Sequence, residues 1–295
     1  MTQKYLMANG LRLAYDEFGN SNDPAVVLVM GLGAQMIAWP ENFCQGLADK
    51  GFRVIRFDNR DIGLSEKITP EKAVNLPGLF IRKKIGLSIK PPYTLRDMAS
   101  DAIGVIDFLN IDKAHWVGAS MGGMITQILA AEHPERSLSL ISIMSTSGNP
   151  KLPQTSWKIT KQMLNRPDRT NEKKYLQHML KTWALIGSPD YPPTKEELSN
   201  KILASLHRSY SPKGYQHQVA AILESGDRRG LLRKIKAPSL IIHGKADLLV
   251  PVEGGIDTSN NINGSTLELF EGMGHDLPKQ LVPKFIRSID RHISN

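Results

Sequence analysis

The stretch Val117-Gly118-Ala119-Ser120-Met121-Gly122-Gly123 constrains this chain more than any other. Ala114, His115, Trp116 and Val117 read as an apolar strand, and Met124, Ile125, Ile128 and Leu129 then recur at helical spacing until Pro134. A G-x-S-x-G match is common by itself. On a strand-to-helix turn it is a nucleophile elbow, because flanking glycines permit the strained backbone that lifts a serine hydroxyl clear of its surroundings. A chance glycine turn is the competing reading, and the agreement of both flanks favours the elbow.

The segments before and after the elbow repeat the same alternation. Leu11 to Asp16 alternates as a strand does, Phe18 to Pro24 is dense in turn formers, and Ala25 to Met30 is a continuous apolar run suited to a strand covered on both faces. A loop with two glycines, Gly31-Leu32-Gly33, follows, and then a helix from about Trp39 to Lys50. It lacks the third glycine of a dinucleotide fingerprint, so a loop of backbone donors is the better reading. Arg53 to Phe57 is a further buried strand, Thr94 to Leu109 a capped amphipathic helix, and Leu138 to Met144 a strand. Strand, helix, strand, helix implies an α/β class fold: a mostly parallel sheet with right-handed crossovers and helices on both faces. Ligands bind such sheets at the carboxyl ends of the strands.

Two segments break the alternation. Glu66 to Tyr93 is a long connection with apolar Leu76, Leu79, Phe80, Ile81, Ile85 and Leu87, which favours packing beside a site over disorder. Residues 147–232 read as helices separated by prolines, an inserted helical cap. The division expected is a core of 1–146 and 233–295 and a cap of 147–232. After the cap, Ser239 to Gly244 and Thr266 to Phe270 resume the sheet and Leu281 to Ile293 closes it with a helix.

Composition bounds the function classes. Over 295 residues, 41% hydrophobic and 22% charged describe an ordinary globule with a sizeable core. The longest apolar run is too short to span a bilayer, the opening residues carry no apolar signal region, and Cys44 is the lone cysteine. These favour the cytoplasm, with no membrane partner. The net charge of +8 comes with no nucleic-acid recognition motif, so no nucleic acid is expected. The basic segment Lys151, Lys158, Lys161, Arg166, Arg169, Lys173, Lys174 and Lys181 reads as a solvated helical face. The charged loop Asp58-Asn59-Arg60-Asp61 fits no calcium spacing, so hydrogen-bonded loop residues are expected there, with no metal.

A serine nucleophile needs a base, best a neutral imidazole held in one tautomer by a buried carboxylate. Asp247 lies just past the strand ending at Gly244, and His275 in Gly272-Met273-Gly274-His275-Asp276 lies just past the strand ending at Phe270. Both loops fall at the sheet edge that carries Ser120. Turn former and surface histidine are the bland readings, but each residue is the one good candidate in its loop. Asp276 points away if His275 faces inward. His115 reads as structural and His243 as a satisfied core group, whereas His133, His178, His207 and His217 show no partner pattern.

On these residues the chain resembles the α/β-hydrolase superfamily over nearly its whole length. Within it, Met30-Gly31-Leu32-Gly33, Trp39-Pro40 and Arg56-Phe57-Asp58-Asn59-Arg60-Asp61 look most like the aclacinomycin methylesterase type of small-ester hydrolase. The resemblance implies that Ser120, Asp247 and His275 are nucleophile, acid and base, and that the N–H groups of Leu32 and Met121 form the oxyanion hole. Most relatives carry histidine at Met30 and glycine at Asp61, and neither change removes a backbone donor. The expectation is a cofactor-free serine esterase acting on a small-molecule ester as a monomer or homodimer, with Phe80, Trp183 and Leu248 lining the substrate pocket. A carbon–carbon bond hydrolase, a lactonase, a proline-type aminopeptidase and a non-catalytic receptor are the rivals.

Overall fold

The computed structural model describes residues 3–70, 73–165, 167 and 170–294, which leaves Arg166, Asp168 and Arg169 of the basic segment outside the described residues. In chain order come β1 (Lys4–Ala8), β2 (Leu11–Phe18), β3 (Ala25–Val29), α1 (Glu41–Ala48), β4 (Arg53–Phe57), α2 (Leu76–Lys84), α3 (Leu95–Phe108), β5 (Ala114–Ala119), α4 (Met121–Glu132) and β6 (Ser137–Ile143). Four helices, α5 (Trp157–Leu164), α6 (Glu172–Ile186), α7 (Lys195–Arg208) and α8 (Pro212–Ser225), and the short α9 (Arg229–Leu232) separate β6 from β7 (Ser239–Gly244). The chain closes through α10 (Glu253–Asn260), β8 (Thr266–Phe270) and α11 (Val282–Ser294).

The strands form one sheet in the order β1-β2-β4-β3-β5-β6-β7-β8. β2 pairs antiparallel with β1 and β4, and every other neighbour is parallel. Strand alternation sorts the core onto two faces. Val27, Val29, Ile55, Phe57 and Trp116 pack with α3 and α4, while Val26, Leu28, Val54, Val117 and Ile143 pack with Trp39, Phe43 and Leu47 near α1 and Phe285 and Ile289 of α11. A sheet buried on both sides needs the continuous apolar runs seen in β3, β5 and β7, all wholly buried. Because β3, β5, β7 and β8 run parallel, the loops after Val29, Ala119, Gly244 and Phe270 share one edge. Thr94 starts α3 through a capping box with Asp97. Among the described residues no helix is long and apolar enough to cross a membrane.

Candidate active site

Ser120 stands between β5 and α4 with φ 56° and ψ −117°, a conformation L-residues seldom adopt. The turn closes because its neighbours have no side chains. A Cβ at Gly118 would meet the Gly122 carbonyl oxygen at 2.3 Å, and one at Gly122 would meet that of Val29 at 1.9 Å. The Ser120 N–H donates to the Ile143 carbonyl at 2.9 Å and its own carbonyl accepts from Ser145 Oγ at 2.8 Å, so β6 over-determines the strained turn.

Ser120, Asp247 and His275 come together as a hydrogen-bonded chain. His275 Nε2 lies 2.9 Å from Ser120 Oγ, and Nδ1 lies 2.7 Å from Asp247 Oδ2. Burial pushes the Asp247 carboxyl up, but the neighbouring His275 and His243 outweigh that and hold it down to about 2. The ionised carboxylate only accepts, so it fixes the proton on Nδ1 and leaves Nε2 to accept from the Ser120 hydroxyl. The other oxygen of Asp247 accepts the N–H groups of Leu249 at 2.9 Å and Val250 at 2.8 Å. The two loops are laced together by Lys245 N–H to Phe270 O and Ala246 N–H to Met273 O.

The loop of the expected oxyanion hole lies against the nucleophile. A Cβ on Gly31 would sit 3.1 Å from Ser120 Cβ, and Leu32 lines the cavity above Ser120. Asn59 holds this loop from below, donating to the Met30 carbonyl at 2.9 Å, and Gln218 of α8 accepts the Gly33 N–H at 2.9 Å. Met121 opens α4, so its N–H is one of the free donors at a helix N-terminus. Asp58 accepts from Met36 and Leu64 N–H groups and pairs with Arg208 at 2.7 Å, which makes this charged loop a scaffold of hydrogen bonds.

Several histidines differ from their sequence reading. His217, given no partner there, has its Nδ1 2.9 Å from Asp61 Oδ2, which accepts its N–H across 156 positions of sequence. Asp61 itself has φ 72°, a backbone region that favours glycine. His207 pairs with Glu172 at 2.6 Å. His243 is only half satisfied: Nε2 reaches the Val250 carbonyl at 2.9 Å, whereas Nδ1 is buried with no partner. His115 meets Ser139 Oγ at 2.8 Å in the core, as a structural residue should.

A cavity of about 1290 Å³ opens over Ser120 and His275 between the sheet edge and helices α5 to α8. Phe80 and Trp183 line it. Leu248 does not: it is 59% exposed, and Leu249 takes the place expected for it. The turn that Asp247 makes with the N–H groups of Leu249 and Val250 rotates residue 248 outward. Five methionines from five separate segments, Met30, Met124, Met144, Met163 and Met179, also line the cavity. Among the described residues no cluster of His, Cys, Asp and Glu could hold a metal ion.

The chain is 26% identical over 299 residues to rhodomycin D methylesterase DnrP of Streptomyces peucetius, spanning 94% of this chain and 93% of that protein. It is 29% identical to 3-oxoadipate enol-lactonase 2 of Acinetobacter baylyi, with 90% and 87% covered. It is also 27% identical to a 2-hydroxy-6-oxononadienedioate/2-hydroxy-6-oxononatrienedioate hydrolase of Burkholderia vietnamiensis, with 95% and 90% covered. The crystal structure of the enol-lactonase from Burkholderia xenovorans LB400 superposes with a TM-score of 0.77 at 23% identity, over 99% of this chain and all of that one. Residues 24–279 match the family described by the alpha/beta hydrolase fold, so this chain belongs to the α/β-hydrolases and is an enzyme of that family.

Proposed function

We propose that this enzyme cleaves a bulky, largely apolar carboxylic ester through an acyl-serine intermediate. The observation that carries the reading is the continuous Asp247–His275–Ser120 hydrogen-bond chain at the floor of the large cavity. Ser120 Oγ attacks the ester carbonyl as His275 Nε2 takes its proton, and Asp247 steadies the imidazolium that forms. The oxyanion draws on the N–H groups of Leu32 and Met121, where loss of one donor typically costs about 3 kcal/mol. His275 then protonates the departing alcohol, and the cycle repeats with water on the acyl-enzyme. A cavity beyond the usual size of small-molecule sites, roughly 300–1,000 Å³, favours a bulky ester over a short one. Methionine walls adapt to irregular apolar shapes. Helices α5 to α8 act on this reading as a cap. Cys44, buried with its thiol pushed up to about 12, fits a cytoplasmic setting without needing one.

A lactone is a cyclic ester and would follow the same steps, and the enol-lactonase relative favours it as the second reading. The hydrolase relative from Burkholderia vietnamiensis brings in carbon–carbon cleavage as the third. Nitrophenyl and methyl esters of graded acyl size, an enol-lactone and a vinylogous diketone, assayed side by side, separate the three. Turnover of the diketone without any ester turnover overturns the ester reading.

A further inference from the structure

The base loop is held from two sides, and only one of them belongs to the sheet. Ala246 and Lys245 secure it from the acid loop, as described above. From the other side it meets the end of α6 and the segment that follows, 82 to 89 positions earlier in sequence. The His275 N–H donates to the Ile186 carbonyl at 2.7 Å, and the Gly274 N–H donates to Ser188 Oγ at 2.8 Å. The Ser188 hydroxyl donates in turn to Asp276 Oδ1 in a short hydrogen bond, and the Ser188 N–H reaches the same oxygen at 3.1 Å. Asp190 N–H closes the set on the Gly272 carbonyl at 3.3 Å. The approach is so close that no side chain fits between the two strands of chain: a Cβ on Gly274 would lie 2.4 Å from the Gly187 carbonyl oxygen, and one on Gly272 would lie 2.0 Å from the Asp190 carboxylate.

We infer that Ser188 and Asp276 are positioning residues for His275, and that docking of the helical insertion sets the geometry of the base. This rests on the ester-hydrolase reading above for its kinetic readout. Ser188 is 3% exposed and its hydroxyl both accepts and donates, so it joins the residues on either side of His275 into one rigid bridge. Asp276 has its Oδ1 engaged by Ser188 and takes no proton in the reaction; it anchors the hydroxyl that anchors Gly274. Without the bridge, the backbone on both sides of His275 loses its hold on the insertion and Nε2 drifts from Ser120 Oγ. A misplacement of about 1 Å costs on the order of 100-fold in rate.

The test uses four variants of the full chain: Ser188→Ala, Asp276→Leu, their combination, and Asp276→Asn, which keeps an oxygen where Oδ1 lies. Expected are kcat losses of about 10- to 100-fold for the first two with KM within about twofold, a double variant no worse than the poorer single, and near-normal kcat for Asp276→Asn. The downfield proton resonance of the His275 Nδ1–H, bonded to Asp247, should shift or broaden in Ser188→Ala and stay in place in Asp276→Asn. A purely structural bridge would lower the melting temperature and leave that resonance and kcat unchanged, and this result overturns the proposal. So does a rise in KM alone, which would make Ser188 a substrate contact. If the wild type neither turns over esters nor reacts with a fluorophosphonate, the ester reading fails, and the resonance still decides whether the bridge positions His275.

Discussion

Ser120 occupies a backbone conformation that costs an L-residue about 1–3 kcal/mol, and the reward is a hydroxyl 2.9 Å from His275 Nε2. Ser120→Ala keeps the backbone and removes that hydroxyl, so kcat should fall by about 10⁴ or more with the melting temperature held. Intact-mass spectrometry after a fluorophosphonate should place one adduct on Ser120 in the wild type and none in the variant. Asp247 is governed by its neighbours. Its carboxyl is held at about 2, below the ordinary 3.8, so its contribution to stability is complete above pH about 4 and is lost as pH falls through 2. Urea unfolding of wild type and Asp247→Asn between pH 5 and 2 should show the steeper acid loss in the wild type, and Asp247→Asn should also cut kcat by about 10⁴. Ser120 and Asp247 were legible in sequence because each follows an apolar run that forms a wholly buried strand, and His275 because it follows the alternating edge strand β8. Leu248 misled for a local reason, since the hydrogen bonds from Leu249 and Val250 to Asp247 decide which residue of the loop turns inward. Ser188 left no sign at all: its partners lie 86 and 88 positions away.

At the scale of elements, the elbow depends on the close approach of β5, α4 and β3. Gly122→Ala pushes a methyl group to within 1.9 Å of the Val29 carbonyl oxygen, and backbone cannot yield as a flexible side chain does. A loss of about 3 kcal/mol or more, read as a lower melting temperature, is expected. His115 gives β5 a pH dependence of its own. Burial lowers its imidazole to about 4, against an ordinary 6.5, so its stabilising effect is complete above pH about 6.5 and drains away as pH falls toward 4. His115→Gln should flatten the stability curve across that window, measured by thermal unfolding at half-unit pH steps. The strand bounds read well from sequence, and β4, β7 and β8 match theirs; β7 is wholly buried and carries the apolar run Leu240-Ile241-Ile242, whereas β8 is a partly exposed edge strand that alternates apolar Leu267 and Leu269 with Glu268. The elements that went unread have other origins. β1 is an edge strand held by its register with β2, α2 buries no residue of its own, and α10 contains two glycines and forms where Gly255 packs against His243.

For the whole molecule, the cavity joins residues that the chain keeps far apart. Apolar walls discriminate by about 1–3 kcal/mol per methylene, so Trp183→Ala and Phe80→Ala should broaden the preference between long and short esters without abolishing turnover. The ratio of kcat/KM for the two, measured beside the melting temperature, separates a pocket role from packing; Trp183 also supports a small cluster with Tyr175, Ile202 and Leu206. The helical insertion leaves and rejoins the core at one place. Arg228 donates its backbone N–H to Ser147 at 2.8 Å and its guanidinium to the Thr146 carbonyl at 2.6 Å, and Gly148 touches Gly226 so closely that a Cβ would meet its carbonyl oxygen at 2.0 Å. Adjacent ends are what a graft needs, and helices from a relative exchanged between these two points would leave the strand order untouched. Such a chimera would not inherit specificity alone. The donor segment must also bring a hydroxyl and a carbonyl to Gly274 and His275, so recognition and turnover are transplanted together or not at all.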